Sequence, residues 1–173
     1  IPFDGGSAEV IANPDASGAN TSSNVLKYVK SNGQTWGGFS MTVDTTIAAA
    51  DGQYFTMDVW SSAAKPLLFK LDDSNVEVSV TTSGGSAWET LVFDLSAATL
   101  SGDSKITVIA DNGTMGDGSD AFTFYIDNIA QSLTAPEPDV VTIGLPVGFE
   151  STGYNLIPFD GGSAEVIANP DAS

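Results

Sequence analysis

The sequence contains no cysteine, no histidine and no arginine, and these absences exclude several kinds of function. Without cysteine and histidine, the chain lacks the usual ligands of zinc, copper and iron–sulfur sites and the usual nucleophile–base pairs of hydrolases. Without arginine, it lacks the side chain that grips phosphate or carboxylate through two parallel hydrogen bonds. The absence of cysteine also excludes a disulfide framework.

Positive charge is scarce as well, because 22 acidic residues stand against five lysines and give a net charge of −17. A chain this acidic repels nucleic acid and anionic membrane surfaces, so we expect neither as a partner. Long apolar runs of about 18 residues are absent too, which argues against insertion into a membrane. Carboxylate chemistry, binding of hard cations through oxygen, and recognition by aromatic rings remain open.

The sequence repeats itself. Residues 1–17 and residues 157–173 both read IPFDGGSAEVIANPDAS, so all 17 positions are identical at an offset of 156. Such identity predicts a tandem array with a period of about 156 residues and neighbouring identical modules as partners; an engineered duplication or permutation is the alternative. Three acidic residues recur, so one period carries 19 acidic residues and five lysines, a net charge of −14.

Composition indicates where one unit ends and the next begins. Residues 133–139, LTAPEPD, are rich in proline and should be extended. We therefore predict a module over residues 1–131 that lacks its own first strand, a linker with a strand-like segment over 132–146, and the start of the next identical module over 147–173. The run at 140–143 could add to the sheet edge of a neighbour, so units would join in one covalent array or by strand exchange; a short connector is the alternative.

Short runs of alternating apolar and polar residues, separated by Gly, Ser, Asp and Asn, predict an all-β fold. They recur about every 10 to 15 residues, which is typical of a jelly roll or β-sandwich with two antiparallel sheets. The predicted strands lie at 7–12, 24–31, 37–43, 54–61, 66–72, 75–80, 88–95, 105–110, 121–129, 140–143 and 146–150.

The same alternation predicts which side chains form the core between the sheets. In the strand over 54–61, Phe55, Met57 and Val59 point one way, whereas Asp58 and Trp60 point the other. Inner faces on three further strands are predicted to carry Phe39, Met41, Val43, Leu91, Phe93, Leu95, Phe122, Phe124 and Ile126.

Six local patterns follow one another in a characteristic order: VIANP (10–14), NTSSNV (20–25), YFTMDVW (54–60), WETLVFDL (88–95), FYIDNI (124–129), and GFE (148–150) at a module start. With GFE opening the module, their order resembles the β-jelly-roll modules of the family 4/9-type carbohydrate-binding group. Such modules occur in secreted multidomain proteins of marine Bacteroidetes. The resemblance implies two antiparallel sheets, a glycan-binding surface on one of them, an extracellular location and a structural calcium ion.

In modules of that group, calcium is bound near the first strand and by an aspartate in the last strand. The resemblance therefore assigns Glu150 and Asp127 as calcium ligands. Ca²⁺ takes six to eight oxygen ligands, and carbonyl groups of the 17–20 loop would supply others. The alternative is that both residues are surface carboxylates. A second acidic loop, residues 111–120, does not fit the spacing of an EF-hand and is better explained as a solvated turn.

Aromatic side chains are the other candidates for a binding site. Indole and phenol rings stack on the flat C–H faces of sugars while polar neighbours bond to the hydroxyl groups. Trp60 and Asp58 lie on the outward face of their strand, and we predict that Tyr28 and Lys70 join them, with Trp36 on a rim. The alternative is that these rings cover sheet edges or pack against a neighbouring module.

No pair of carboxylates is set apart by its spacing as the acid and base of a glycosidase, so we expect no enzymatic activity. The sequence predicts a non-catalytic repeat unit of an extracellular adhesive fibre, filament or giant adhesin at the cell surface, stabilised by calcium. The alternative function is a carbohydrate-binding module that recognises a β-glucan or an algal polysaccharide.

Overall fold

The computed structural model describes residues 1–136, so the strands predicted at 140–143 and 146–150 lie outside the described residues. Within that range the backbone forms two short 3-10 helices, Ala49–Asp51 and Asp120–Phe122, and ten strands. The strands are β1 Pro2–Phe3, β2 Ser7–Ala12, β3 Asn24–Val29, β4 Gly38–Ile47, β5 Tyr54–Ser61, β6 Pro66–Leu71, β7 Val76–Thr81, β8 Ala87–Asp94, β9 Asp103–Ala110 and β10 Thr123–Ser132.

The ten strands form two five-stranded sheets that pack face to face as a β-sandwich. Sheet A has the order β1-β4-β9-β6-β7, and sheet B has the order β2-β3-β10-β5-β8. All pairs within the described residues are antiparallel. The prediction of an all-β fold with two antiparallel sheets is confirmed. Residues 1–136 contain no helix that is long and apolar enough to cross a membrane.

The core lies between the two sheets and consists of the side chains that alternation placed on their inner faces. Phe69 of sheet A packs against two rings of sheet B, with ring centroids 5.1 Å from Phe55 and 5.0 Å from Phe93. Met41 and Val43, also predicted as inner residues, are only partly buried. Phe122, another predicted inner residue, is buried but lies in a 3-10 helix outside the central cluster, where its ring centroid is 4.2 Å from the Lys65 ammonium.

Residues 1–17 contribute an edge strand to each sheet. β1 pairs with β4 in sheet A, and β2 pairs along its whole length with β3 in sheet B. The chain passes from one sheet to the other through Asp4, Gly5 and Gly6, all of which have positive φ. A Cβ atom on Gly6 would lie 2.4 Å from the carbonyl oxygen of Val29, so this crossing requires glycine.

A lysine is buried at one end of the sandwich. The Lys30 ammonium donates to the carbonyl oxygens of Thr35 at 2.8 Å, Ala110 at 2.6 Å and Asp111 at 3.1 Å. Burial lowers the pKa of Lys30, and the nearby Asp111 carboxylate opposes that shift. Three carbonyl groups thus replace the water around this cation and tie the β3–β4 connection to the end of β9.

Candidate functional site

Side chains on the outer face of sheet B stand in rows that cross all five strands. Strand pairing places Glu9, Lys27, Tyr125, Trp60 and Trp88 side by side, one from each strand in the order of the sheet. Directly opposed residues of antiparallel strands have Cβ atoms about 4.5–5.5 Å apart, so these five form a continuous strip. We call this strip the aromatic row.

The centre of the aromatic row is an edge-to-face pair of rings. The Tyr125 and Trp60 ring centroids lie 5.1 Å apart at an interplanar angle of 67°. Both rings are half-buried, so each keeps part of its surface open to solvent. Trp88 is almost fully buried, and its indole N–H donates to the carbonyl oxygen of Asp15 at 2.6 Å.

Charged groups flank the two central rings on one side. The Lys27 ammonium lies 3.8 Å from the Glu9 carboxylate, and both side chains are partly exposed. Together they offer a hydrogen-bond donor and an acceptor next to an aromatic surface, the combination of groups that orients a bound molecule in many binding sites.

The Trp60 indole is unusual because its N–H is buried and has no acceptor within the described residues. A buried donor without a partner costs about 1–3 kcal/mol. The ring therefore occupies this position at a cost to stability, and unsatisfied groups of this kind are uncommon enough in native proteins to require an explanation.

The next row on the same face contains two opposed carboxylates. Asp58 and Asp127 are direct partners on β5 and β10, and like charges in opposed positions destabilise a sheet. Side-chain hydrogen bonds offset this repulsion. Asp58 accepts from the Thr90 hydroxyl at 2.6 Å and from the Asn128 amide at 2.8 Å, while Asp127 accepts from the Asn20 amide at 3.0 Å.

The electrostatic state of Asp127 follows from these bonds. Burial by itself would raise the pKa of Asp127, but hydrogen bonds from Ser22, Asn20 and the Asn128 backbone outweigh it and lower the pKa below its usual value. Asn128 is available for this role because it has a φ of 48° at a β-bulge, where the β10–β5 register shifts. The carboxylate thus remains charged beside Asp58.

The β2–β3 connection, residues 13–23, lies across this face. Asp15 follows β2 at one edge of sheet B, yet its carbonyl oxygen contacts Trp88 of β8 at the other edge. Asn20 is fully buried and accepts from the Asn13 side chain at 3.2 Å and from the Ser22 backbone at 2.9 Å. The connection therefore covers the carboxylate row and leaves the central rings of the aromatic row partly open.

The predicted calcium ligands are only partly within the described residues. The Asn20 side-chain amide of the 17–20 loop donates to Asp127, whereas Glu150 lies outside the described residues. Among residues 1–136, no group of three or more carboxylates is placed to hold a metal ion. Calcium binding by Asp127 and Glu150 stays a prediction.

The five predicted glycan-contacting residues are not brought together. The predicted outward position of Tyr28 was wrong: its ring is fully buried in the core, 5.2 Å from Phe39, and burial raises its pKa to about 12. The predicted position of Lys70 was wrong as well, because it lies in β6 of the other sheet, paired with Glu77. Neither side chain can join Trp60 on one surface.

The other three differ in what they expose. Trp60 lies on the outer face of sheet B as predicted. Asp58 shares that face, but it is only 6% exposed and is held by Thr90 and Asn128. Trp36 is 50% exposed in the loop before β4, where its indole N–H donates to Asp4 at 2.9 Å. Of the predicted set, Trp60 alone combines an aromatic surface with a place in the aromatic row.

Four residues of the aromatic row were missed in the sequence analysis: Glu9, Lys27, Trp88 and Tyr125. Tyr125 lies between the inner residues Phe124 and Ile126, so the alternation of the strand predicts that it points outward. Lys27 lies on the outer face of β3. Their proximity to Trp60 depends on the strand order β3-β10-β5, which no local pattern reports.

No family model and no curated protein sequence matches the chain. Solved structures with a similar fold include a family 11 carbohydrate-binding module from Clostridium thermocellum in complex with a β-1,3-1,4-mixed-linked tetrasaccharide, at 16% identity, covering 77% of this chain and 89% of that one, with a TM-score of 0.47. Another is a variant of a family 29 carbohydrate-binding module, at 17% identity, covering 63% and 71%, with a TM-score of 0.45. The chain is similar to these modules as a β-sandwich, and we transfer no residue role from them.

Proposed function

We propose that residues 1–136 form a non-catalytic module that binds a polysaccharide on the outer face of sheet B. The observation that carries this proposal is the pairing of Tyr125 with Trp60 at the centre of a five-stranded face, next to Lys27 and Glu9. Sugar rings present apolar C–H faces and polar edges, and this strip offers partners for both.

The direction of the aromatic row suggests how a glycan chain would lie. The row crosses five strands, which corresponds to a span of about 19 Å. A glycan that followed it would run perpendicular to the strands, with sugar rings against Trp60 and Tyr125 and hydroxyl groups near Lys27 and Glu9. The connection over residues 13–23 would border the chain on one side.

The unpaired indole N–H supports the same face. The buried indole N–H lowers the stability of the free protein because it has no acceptor. A shift of Trp60 on binding would let this N–H donate a hydrogen bond to a sugar hydroxyl. Binding would then relieve a cost that the free protein bears. The central row on the outer face of sheet A contains no aromatic ring and consists of Ser40, Thr107, Lys70 and Glu77.

Affinity electrophoresis of the full chain tests the proposal, with gels that contain mixed-linkage β-1,3-1,4-glucan, laminarin, glucomannan or alginate. We expect retardation by at least one polysaccharide, loss of about tenfold in affinity for Trp60→Ala, and no change for the matched control Lys70→Ala on the other face. No retardation in any gel, or equal effects of the two substitutions, would contradict the proposal.

A second candidate function is a repeat unit of an extracellular adhesive fibre or filament. The identity of residues 1–17 with residues 157–173 favours it, because identical long units are what an array requires. The two functions are compatible, since a fibre of such units would present one aromatic row per unit. Electron micrographs of a chain with several units should show a regular axial repeat, and irregular coils would contradict this candidate.

Calcium belongs to the same proposal. A divalent cation near Asp127 and Glu150 would offset part of the net charge of −17 that each chain carries. Removal of calcium with EDTA should lower the melting temperature, and Ca²⁺ but not Mg²⁺ should restore it. An unchanged melting temperature after chelation would show that calcium does not stabilise this protein.

A further inference from the structure

Strand β4 has an edge that no described strand covers. β1 pairs with it only through Pro2 and Phe3, and Ile1 adds main-chain contacts to Ser40. Beyond Ser40, β4 continues to Ile47 with no partner on that side among residues 1–136. Unpaired main-chain groups along a strand edge are a ready template for another strand.

An apolar groove lies beside this edge. A space of about 300 Å³ is lined mainly by Val10, Leu26, Met41, Ile126 and Ile129. It meets a second space of about 200 Å³ at Ile129, and this second space runs along β4 at Val43 and Ile47.

Val10 shows that this groove lacks a cover. It is paired with Leu26, whose side chain packs against the core, so both point to the inner side of sheet B. Nevertheless Val10 is 75% exposed. A valine on the inner side of a sandwich sheet is normally buried by the opposite sheet, and among residues 1–136 sheet A has no strand at this point.

The sequence itself contains a segment that fits. In the C-terminal copy of the repeated sequence, Ile157 is preceded by residues 145–156, LPVGFESTGYNL. Pro2 pairs with Phe39 in antiparallel register. If this pairing continued beyond Ile1, the residue immediately before Ile1 would lie opposite Met41, and the third residue before Ile1 would lie opposite Val43. Those positions correspond to Leu156 and Tyr154, two apolar residues on the side that faces the groove, with polar Asn155 between them on the other side.

We propose that the open edge of β4 and the groove bind residues 145–156 of a second copy. The two copies would be joined head to tail, so that residue 156 of the second copy directly precedes Ile1. Each unit would complete the sandwich of the next with one strand, and the joint would be a shared sheet instead of a flexible linker. The proposal rests on the array candidate and is independent of glycan binding.

The test is a chain in which LPVGFESTGYNL is placed directly ahead of Ile1. Filling the groove and pairing the β4 edge should raise the melting temperature by more than about 5 °C. The matched control carries the same added segment with Tyr154→Asp and Leu156→Asp, which keep its length but cannot bury in the groove. This control should melt within about 2 °C of the original chain. All melts are run without polysaccharide, so the result does not depend on glycan binding.

Methionine oxidation gives a second readout at the groove itself. The chain has three methionines: Met41 lines the groove, Met115 is exposed, and Met57 is buried. Peroxide should oxidise Met41 severalfold more slowly in the extended chain, with the rate at Met115 unchanged as an internal reference. Protection of Met41 in the extended chain but not in its doubly substituted control supports the proposal.

Three results would overturn it. The first is an unchanged melting temperature and Met41 oxidation rate in the extended chain. The second is an equal rise for the extended chain and its substituted control, which would show a general effect of length. The third is that Tyr154→Asp with Leu156→Asp in the original 173-residue chain already exposes Met41, because the groove would then be filled by the same chain.

Discussion

The outer face of sheet B has two aromatic rings at its centre and two opposed carboxylates beside them, Asp58 buried and Asp127 partly buried. The central row of sheet A is Ser40, Thr107, Lys70 and Glu77. Both faces are produced by the same alternation of inner and outer residues. The two faces differ in how much their outer residues lower the stability of the fold. In this row of sheet A, Ser40, Lys70 and Glu77 reach solvent and the buried Thr107 hydroxyl donates to Asp72, while sheet B holds a donor without a partner and two opposed carboxylates.

Charged groups can also be compared on the two sheets, each of which holds one buried carboxylate, Asp103 on sheet A and Asp58 on sheet B. At sheet A, the Lys105 ammonium of β9 lies 2.8 Å from the carboxylate of Asp72, which follows β6; the Lys105 side chain is exposed and that of Asp72 is partly exposed. On sheet B, Asp58 is 6% exposed and relies on Thr90 and Asn128 for its hydrogen bonds. Features that lower stability can persist where they serve another purpose, and this difference is our reason for proposing sheet B as the binding face.

The largest expected effect is on the ring pair. Trp60→Ala removes a half-buried indole and its edge-to-face contact with Tyr125, which should lower the free energy of unfolding by about 2 kcal/mol. Lys70→Ala on sheet A should change it by less than about 0.5 kcal/mol. Urea unfolding of both variants makes the comparison, and similar losses on the two faces would contradict it.

A smaller effect is expected at Asp127, whose folded pKa lies below the ordinary value of 3.8. A lowered folded pKa stabilises the protein above the unfolded value, and this contribution is lost as the pH falls through the folded pKa. Stability should therefore drop below about pH 4, and Asp127→Asn should lose less there. Thermal unfolding from pH 7 to pH 2 measures this; parallel curves for both proteins would exclude the role of Asp127.

The sheet A ion pair should contribute less still. Because the Lys105–Asp72 pair is exposed to solvent, Lys105→Ala should lower the free energy of unfolding by less than about 1 kcal/mol. Salt should shrink the difference, since surface charges are screened at about 1 M ionic strength. Urea unfolding at low and high salt checks this. A large loss of unfolding free energy that salt does not affect would show that charged groups on sheet A contribute as much to stability as those on sheet B.

The smallest effect concerns the unpaired indole N–H. Trp60→Phe keeps an aromatic ring beside Tyr125 and removes the donor that has no acceptor. The lost ring area and the lost desolvation cost oppose each other, so stability should change by less than about 1 kcal/mol in either direction. A loss as large as that of Trp60→Ala would show that the N–H is satisfied in solution.

The sequence predicted the fold well because alternation is a local property. Phe55, Met57 and Val59 are buried, and Trp60 points outward, as the period of two requires. β1 was missed because two residues show no period, and Pro2 removes one donor.

The site was less predictable because it depends on the order of strands. Tyr125 and Trp60 are far apart in the chain and become neighbours only because β10 lies between β3 and β5. Tyr28 was placed outward because apolar residues occur on both faces of NVLKYV, so its alternation is ambiguous. The burial of Lys30 was unpredictable for a similar reason. Lysine is almost never fully buried unless paired, and two of the three carbonyl partners of Lys30, Ala110 and Asp111, come from a distant segment.

The most direct test of the central claim is to map a bound glycan onto one of the two faces. The ¹H–¹⁵N correlation spectrum of the protein would be recorded during titration with a mixed-linkage β-1,3-1,4-glucan tetrasaccharide, or with a fragment of whichever polysaccharide retards the chain. Shifts should concentrate at Lys27, Tyr125 and Trp60, including the Trp60 indole N–H, and leave Ser40 and Lys70 unchanged. Shifts confined to sheet A, or none with any fragment, would contradict the assignment of sheet B as the binding face.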